Sequence, residues 1–341
     1  MDEMADMIPY RIPLIKDKKL IDPHVIIVGA GASIAACRKD KNGMEVPLLR
    51  NIHKILGLTP VLERYIFSEA EMEDFELLYS SIHNKTEFAA LTNLLEESIR
   101  AYFESLVIPD EVTYYDYLIL SLTSKDAIIS FNWDPFLLQA YQRNLCISNL
   151  PNLIFPHGNV GVGLCDACHI KGYANSLCPN CMKDLKNMPL LFPVGEKNYN
   201  KQPIIKNEWD LAKDFLSKAA GITVYGFGAP ETDTEALELM KSAYQESNVK
   251  EIAPFTIINL RREKDNQMRK WKDFISSRMV LFYEKIEESL LWQNPRVSLE
   301  TLFDAILQQH PRENSKPYKA FNNLKELQDF VKTINEYEIY F

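Results

Sequence analysis

The stretch from His24 to Ser33 constrains the fold most, because a short β-branched run, Val25 to Val28, passes directly into Gly29-Ala30-Gly31-Ala32-Ser33. An apolar run of that length with no polar alternation fits a strand covered on both faces of a parallel sheet. Gly29 and Gly31 let the backbone turn sharply and come close to a ligand. Ser33 can cap the following helix, whose exposed N–H groups suit a phosphate. The dinucleotide pattern G-x-G-x-x-G is incomplete, with Ile34 and Ala36 in the helix that follows. On these residues alone, a pyrophosphate-binding turn and an ordinary strand-to-helix turn are both open.

The same arrangement of apolar run followed by small or polar residues recurs. Ala127 to Phe131 reads as a second strand and ends at Asn132-Trp133-Asp134-Pro135, and Leu153 to Phe155 ends at Pro156-His157-Gly158-Asn159. Ile222 to Tyr225 leads into a second glycine turn, Gly226-Phe227-Gly228, and Phe255 to Ile258 ends at Asn259. Met279 to Phe282 is the last candidate strand. Helical periodicity separates these runs, over about 60–80, 84–106, 114–122, 206–219 and 231–246. Strands alternating with helices predict an α/β protein with a Rossmann-like, doubly wound parallel sheet, whose ligands bind beyond the carboxyl ends of the strands.

Three parts are expected: a polar lead-in over 1–23, a nucleotide-binding domain over 24–283, and a helical region over 284–341. The middle part carries a helical insertion at about 50–110, able to cover a nucleotide or make subunit contacts, though packing of amphipathic helices on the core is the commoner arrangement. A second insertion, at about 163–187, is marked by a shift to Gly, Cys, Lys and Asn. The 341 residues carry 38 Lys and Arg against 47 Asp and Glu, a net charge of −9, which argues against general nucleic-acid or membrane-surface binding. No apolar run reaches the ~18 residues of a membrane span, and the acidic N-terminus lacks a signal-peptide pattern. A soluble, cytoplasmic protein is expected.

Four of the six cysteines form two C-x-x-C pairs, Cys165/Cys168 and Cys178/Cys181. Two thiolate pairs on tight knuckles can close a tetrahedral zinc site with no position left for water, so the zinc would be structural. His169 reads as a neighbour of that site, and Cys37 and Cys146 as buried free thiols. His157 follows a strand and precedes a glycine, where an imidazole can serve as a base near its own pKa; taken alone, it reads better as a satisfied core histidine. Asn132 and Asp134 can bond a sugar hydroxyl, an amide or a water, or cap the next helix.

Taken in order, Gly-Ala-Gly-Ala-Ser at 29–33, Phe-Asn-Trp-Asp at 131–134, His-Gly at 157–158, the paired cysteines, Gly-Phe-Gly at 226–228 and Ile-Asn at 258–259 resemble the sirtuin superfamily. The resemblance spans about 24–283 and implies a Rossmann-like NAD+ site with a small zinc ribbon. It implies that Gly29, Ala30, Gly31, Ala32 and Ser33 hold the pyrophosphate and that Asn132 and Asp134 flank the nicotinamide ribose and carboxamide. It further implies that His157 is the base and that Gly226, Phe227, Gly228 and Asn259 line the adenosine side. Deacylating sirtuins follow the first glycine turn with Gly-Ile-Pro-Asp-Phe-Arg, of which only a loose echo stands in Gly43 to Arg50.

The segment Gly226 to Asp233 is more similar to the Gly-Tyr-Ser-x-Pro-x-x-Asp pattern of bacterial sirtuin-like, NAD+-consuming proteins of antiviral defence. Phe192 to Tyr199 suits either branch, and the intact cysteine quartet favours a deacylase. The leading expectation is an NAD+ glycohydrolase using Asn132 and His157. The alternatives are an NAD+-dependent protein-lysine deacylase and a sensor or scaffold that binds NAD+ or ADP-ribose without turnover. Such a toxic activity has to be restrained, and the extra helices at 60–106 and 284–341 can mediate self-assembly into a homo-oligomer or binding of a partner protein such as an ATPase.

Overall fold

The computed structural model describes residues 22–193, 202–229, 233–245, 254–275, 279–297, 299 and 316–335. The lead-in before residue 22, the part of the Phe192–Tyr199 segment from Val194 onward, and Pro230 to Thr232 of the second glycine turn lie outside the described residues.

Strand β1 (His24–Val28) enters helix α1 (Ala30–Ala36), after which α2 (Ile52–Ile55), α3 (Thr59–Leu62), α4 (Glu69–Glu73), α5 (Phe75–Ile82), α6 (Ala89–Glu104) and α7 (Tyr114–Leu120) precede β2 (Ala127–Ser130). Helix α8 (Phe136–Arg143) leads to β3 (Asn152–Ile154), and β4 (Val162–Cys165), β5 (Ile170–Tyr173) and β6 (Lys186–Asn187) form the second insertion. Then come α9 (Pro203–Ser217), β7 (Gly221–Tyr225), α10 (Thr234–Gln245), β8 (Phe255–Ile258), α11 (Lys264–Lys270), α12 (Lys272–Ile275) and β9 (Val280–Tyr283).

Among the described residues six strands form one parallel sheet in the order β3-β2-β1-β7-β8-β9. With the second insertion set aside, this is the doubly wound order 3-2-1-4-5-6, and the winding reverses between β1 and β7. Burial explains the apolar runs: Val25 to Val28 are all at 0 % exposure, and β2, β7 and β8 are buried throughout. Truncating one such Ile to Ala costs about 2–5 kcal/mol.

The single periodic stretch expected over 60–80 is three helices. Ser68 and Glu71 close a capping box that starts α4. Asp74, extended at φ −135°, ends α4 and starts α5 by accepting the Glu76 N–H at 2.9 Å. Periodicity alone carried no sign of this break, because the capping residues fall between apolar positions. The second insertion is a separate antiparallel sheet in the order β5-β4-β6. No helix among the described residues is long and apolar enough to cross a membrane.

Candidate active site

The inner strands end level with one another. Val28 pairs with Ser130 and with Tyr225, and Tyr225 pairs with Ile258, so Gly29, Phe131, Gly226 and Asn259 leave the sheet along one edge. At that edge, where the winding reverses, opens a cavity of about 580 Å³. Gly29, Ala30, Gly31, Asn132, Asp134, His157, Gly226, Phe227, Gly228 and Asn259 all line it. Five positions far apart in the chain thus meet at one place because parallel strands deliver their following residues to the same end.

The glycines serve each other as well as the cavity. Gly226 has φ +60°, and a Cβ there would lie 2.2 Å from the Ala32 nitrogen, while a Cβ on Gly29 would lie 2.6 Å from Phe227 Cα. The Gly31 N–H donates to the Gly226 carbonyl at 2.9 Å. The two turns are therefore interlocked backbone to backbone, a fit that side chains at Gly29 or Gly226 would prevent. A Cβ on Gly228, by contrast, meets nothing within 4 Å.

Ser33 does not cap α1; Gly29 occupies that position, with no side-chain bond. A capping residue must precede the helix, and Ser33 lies inside it. Ala32 and Ser33 are fully buried and are not among the residues lining the cavity. The Ser33 hydroxyl instead donates to Asp134 Oδ2 at 2.7 Å and lies 2.6 Å from the Tyr115 hydroxyl. Asn132 Nδ2 donates to the Gly29 carbonyl at 2.9 Å, to Ser33 Oγ at 2.9 Å and to the Tyr115 hydroxyl at 3.1 Å. This fixes the amide's orientation and leaves Oδ1 as its end for a ligand. Asp134 also accepts the Phe136 N–H at 3.2 Å, the helix-start bond weighed for it above. Burial pushes its carboxyl up to about 6, against the hydrogen bonds that favour the ion.

His157 is 5 % exposed and sits three residues beyond β3. Its Nε2 lies 3.9 Å from Asp233 Oδ1, and Asp233 also lines the cavity. The ring stands edge-on to Phe131 at 4.7 Å, and Phe131 stacks on Phe227 at 4.6 Å. Gly158, at φ +79°, lets the chain pass Pro189, whose carbonyl would lie 1.9 Å from a Cβ. Asn159 Nδ2 donates to the carbonyls of Asn132 and Asp134 at 3.1 and 2.7 Å, which ties the two strand-end loops together. The helical insertion closes the other side with Leu48, Arg50, Asp74, Glu76 and Phe103. Asn259 bonds its own loop, its Oδ1 accepting the Leu260 N–H at 2.8 Å.

Away from the cavity, the sulfurs of Cys165, Cys168, Cys178 and Cys181 all lie within 4.8 Å of one another, with Cys165 and Cys181 at 3.5 Å. Four thiolates around a zinc ion at ~2.3 Å stand ~3.8 Å apart, so the quartet fits zinc, closed to a further ligand. As free thiols the four share their protons unevenly: the backbone N–H of Cys181 lowers Cys178 to about 6, while the Cys181 side chain raises Cys168 to about 12. His169 is exposed and outside the quartet. Cys37 is buried, its thiol pushed up to about 12 chiefly by burial; Cys146 is exposed, contrary to the expectation of a buried thiol.

No protein-family model matches the chain, and no curated protein matches it. Among solved structures, the chain is similar to a Sir2 homologue in complex with NAD, at 15 % identity over 84 % of this chain and 88 % of that one, with a TM-score of 0.38. It is also similar to Sir2 in complex with an inhibitor, 2′-O-acetyl-ADP-ribose and a deacetylated p53 peptide, at 15 % identity over 77 % and 88 %, with a TM-score of 0.38. A third likeness is to a structure on sirtuin substrate affinity, at 16 % identity over 85 % and 94 %, with a TM-score of 0.35.

Several residues of the site escape sequence reading. Tyr115 is wholly buried beneath Asn132. Its clue is the capping box of Thr113 and Asp116, which starts α7 and fixes the face that Tyr115 presents. Glu208 and Lys171, 1 % and 3 % exposed, hold the end of β3 that leads to His157. Glu208 was detectable as a charge on the apolar stripe of Ile205, Trp209, Ala212 and Leu216.

Proposed function

We propose that the protein is an NAD+ glycohydrolase of sirtuin-like type, releasing nicotinamide and ADP-ribose. The observation that carries this reading is the meeting of Asn132 and His157 on one cavity, at the first glycine turn and at the reversal of the winding. The dinucleotide would lie along the interlocked turns, with its adenosine toward Gly228 and Asn259 and its nicotinamide ribose toward Asn132. As the bond from ribose C1′ to the nicotinamide nitrogen breaks, its electron pair leaves on the neutral base and the sugar becomes cationic. Asn132 Oδ1 accepts a hydrogen bond from the attacking water, whose oxygen bonds C1′, and His157 takes the proton released. Phe131, stacked on Phe227 and edge-on to His157, gives the imidazole an apolar flank.

The pattern from Gly226 to Asp233 supports a role as an NAD+-depleting effector in antiviral defence, acting as a homo-oligomer or with a partner protein. A protein-lysine deacylase is the second reading, favoured by the complete cysteine quartet. Purified protein mixed with NAD+ and no peptide separates the two. Hydrolysis predicts nicotinamide and ADP-ribose in equal amounts, lost in Asn132→Ala and His157→Ala, while release that depends on an acyl-lysine peptide makes the protein a deacylase. Binding of NAD+ with neither reaction makes it a sensor.

A further inference from the structure

Among the described residues strand β3 is an edge of the large sheet, and side chains meet outward backbone groups of β3 and of the residue after it. Lys171 Nζ donates to the Leu153 carbonyl at 3.1 Å, and Glu208 Oε2 accepts the Phe155 N–H at 2.6 Å. The two side chains also bind each other, with Nζ 2.8 and 3.0 Å from the carboxylate oxygens. Lys171 comes from β5 of the cysteine insertion, Glu208 from α9, and Phe155 stands two residues before His157. The next residue of α9, Trp209, has its ring 5.9 Å from Phe131 and 6.5 Å from His157. The chain leaving the insertion adds a further tie, the Leu191 N–H donating to the His157 carbonyl at 3.0 Å.

A buried ion pair adds little net stability, and a well-packed apolar pair would join insertion to helix as firmly. What an apolar pair cannot do is satisfy an edge strand's N–H and C=O groups. We propose that Lys171 and Glu208 are positioning residues that set His157 in the cavity, so that the cysteine insertion holds the end of the strand bearing the base. This rests on the reading of His157 as the base of NAD+ cleavage.

The test uses the full chain and the variant Glu208→Asp, which keeps both charges and shortens the reach to the Phe155 N–H. Folding is checked by circular dichroism, and if Glu208→Asp does not fold, Lys171→Arg carries the same prediction. The expected result is a kcat for NAD+ lowered roughly 10- to 100-fold with KM within about twofold, since a misplaced catalytic group costs rate rather than binding. The imidazole ¹⁵N–¹H signals of His157, assigned by their loss in His157→Gln, are expected to move in the variant. They are expected to stay in Asp210→Asn, which alters an exposed ion pair on the same helix. A folded variant with wild-type kcat and unmoved His157 signals overturns the proposal. A wild-type chain that cleaves no NAD+ overturns the hydrolase reading instead, and the His157 signals, which need no turnover, still decide the positioning role.

Discussion

The cysteine quartet and the cavity at the glycine turns are two sites built in opposite ways. The quartet draws all its ligands from residues 165–181, on a small sheet whose buried apolar cluster, apart from two of the cysteines themselves, contains Leu185. The cavity draws its walls from Gly29 to Lys270 and rests on strands buried on both faces. A site of the first kind is specified by spacing and depends on its metal for structure. A site of the second kind is specified by topology, and its geometry exists before any ligand arrives.

The largest expected effect tests the first half of that contrast. Cys178→Ser should lose the bound zinc and the ordered structure of 162–187, since structural zinc contributes on the order of 10 kcal/mol in small metal-folded units. Metal content and hydrogen exchange measure this, with β1, β2 and β7 expected to stay protected. Collapse of the large sheet together with the insertion would break the contrast.

The second half is tested at the interlock. Gly226→Ala, at φ +60° with its Cβ 2.2 Å from the Ala32 nitrogen, should lower unfolding stability in urea by at least about 3 kcal/mol. A loss within experimental error would mean that the turns yield readily and that the cavity is not preformed.

A comparable effect is expected from pH. Burial raises Asp134 to about 6 from 3.8, so the folded state holds a proton that the unfolded chain releases. That contribution is fully present below pH about 4 and is lost as pH rises through about 6. His24, at the far end of β1, is lowered by burial to about 4 from 6.5, so its contribution is present above pH 6.5 and lost as pH falls through about 4. Each amounts to about 3 kcal/mol, and the two oppose each other between pH 4 and 6. Asp134→Asn should therefore expose a loss of about 3 kcal/mol on acidification from pH 6.5 to 4 that the wild type masks, measured by urea unfolding across that range. The smallest effect belongs to Gly228→Ala, where nothing stands within 4 Å of the new methyl. Stability should stay within about 0.5 kcal/mol, while NAD+ binding, followed by calorimetry, weakens because that position lines the cavity.

The same contrast decides what the chain discloses in its sequence. The strands were legible because both faces are buried, which removes polar residues from Val25–Val28 and Ala127–Ile129 and leaves an unmistakable run. The cysteines were legible because their chemistry is local. Asn132 and His157 were legible as strand-end residues, but their meeting depended on strand order, which spacing does not encode. Ser33 reads locally as a cap because the partners it has in the fold, Tyr115 and Asp134, lie 82 and 101 residues away. The glycines were read as room for a ligand, and the sequence held no hint that Gly31 and Gly226 leave room for each other.

The bond of Glu208 to the Phe155 N–H and that of Lys171 to the Leu153 carbonyl bear also on the company the molecule keeps. A margin whose amide and carbonyl are already taken offers no template to an incoming extended chain. Copies of this protein cannot lengthen their sheets into a continuous ribbon there without first expelling two charged side chains from the interior, so any assembly on that flank must be built from side-chain surfaces.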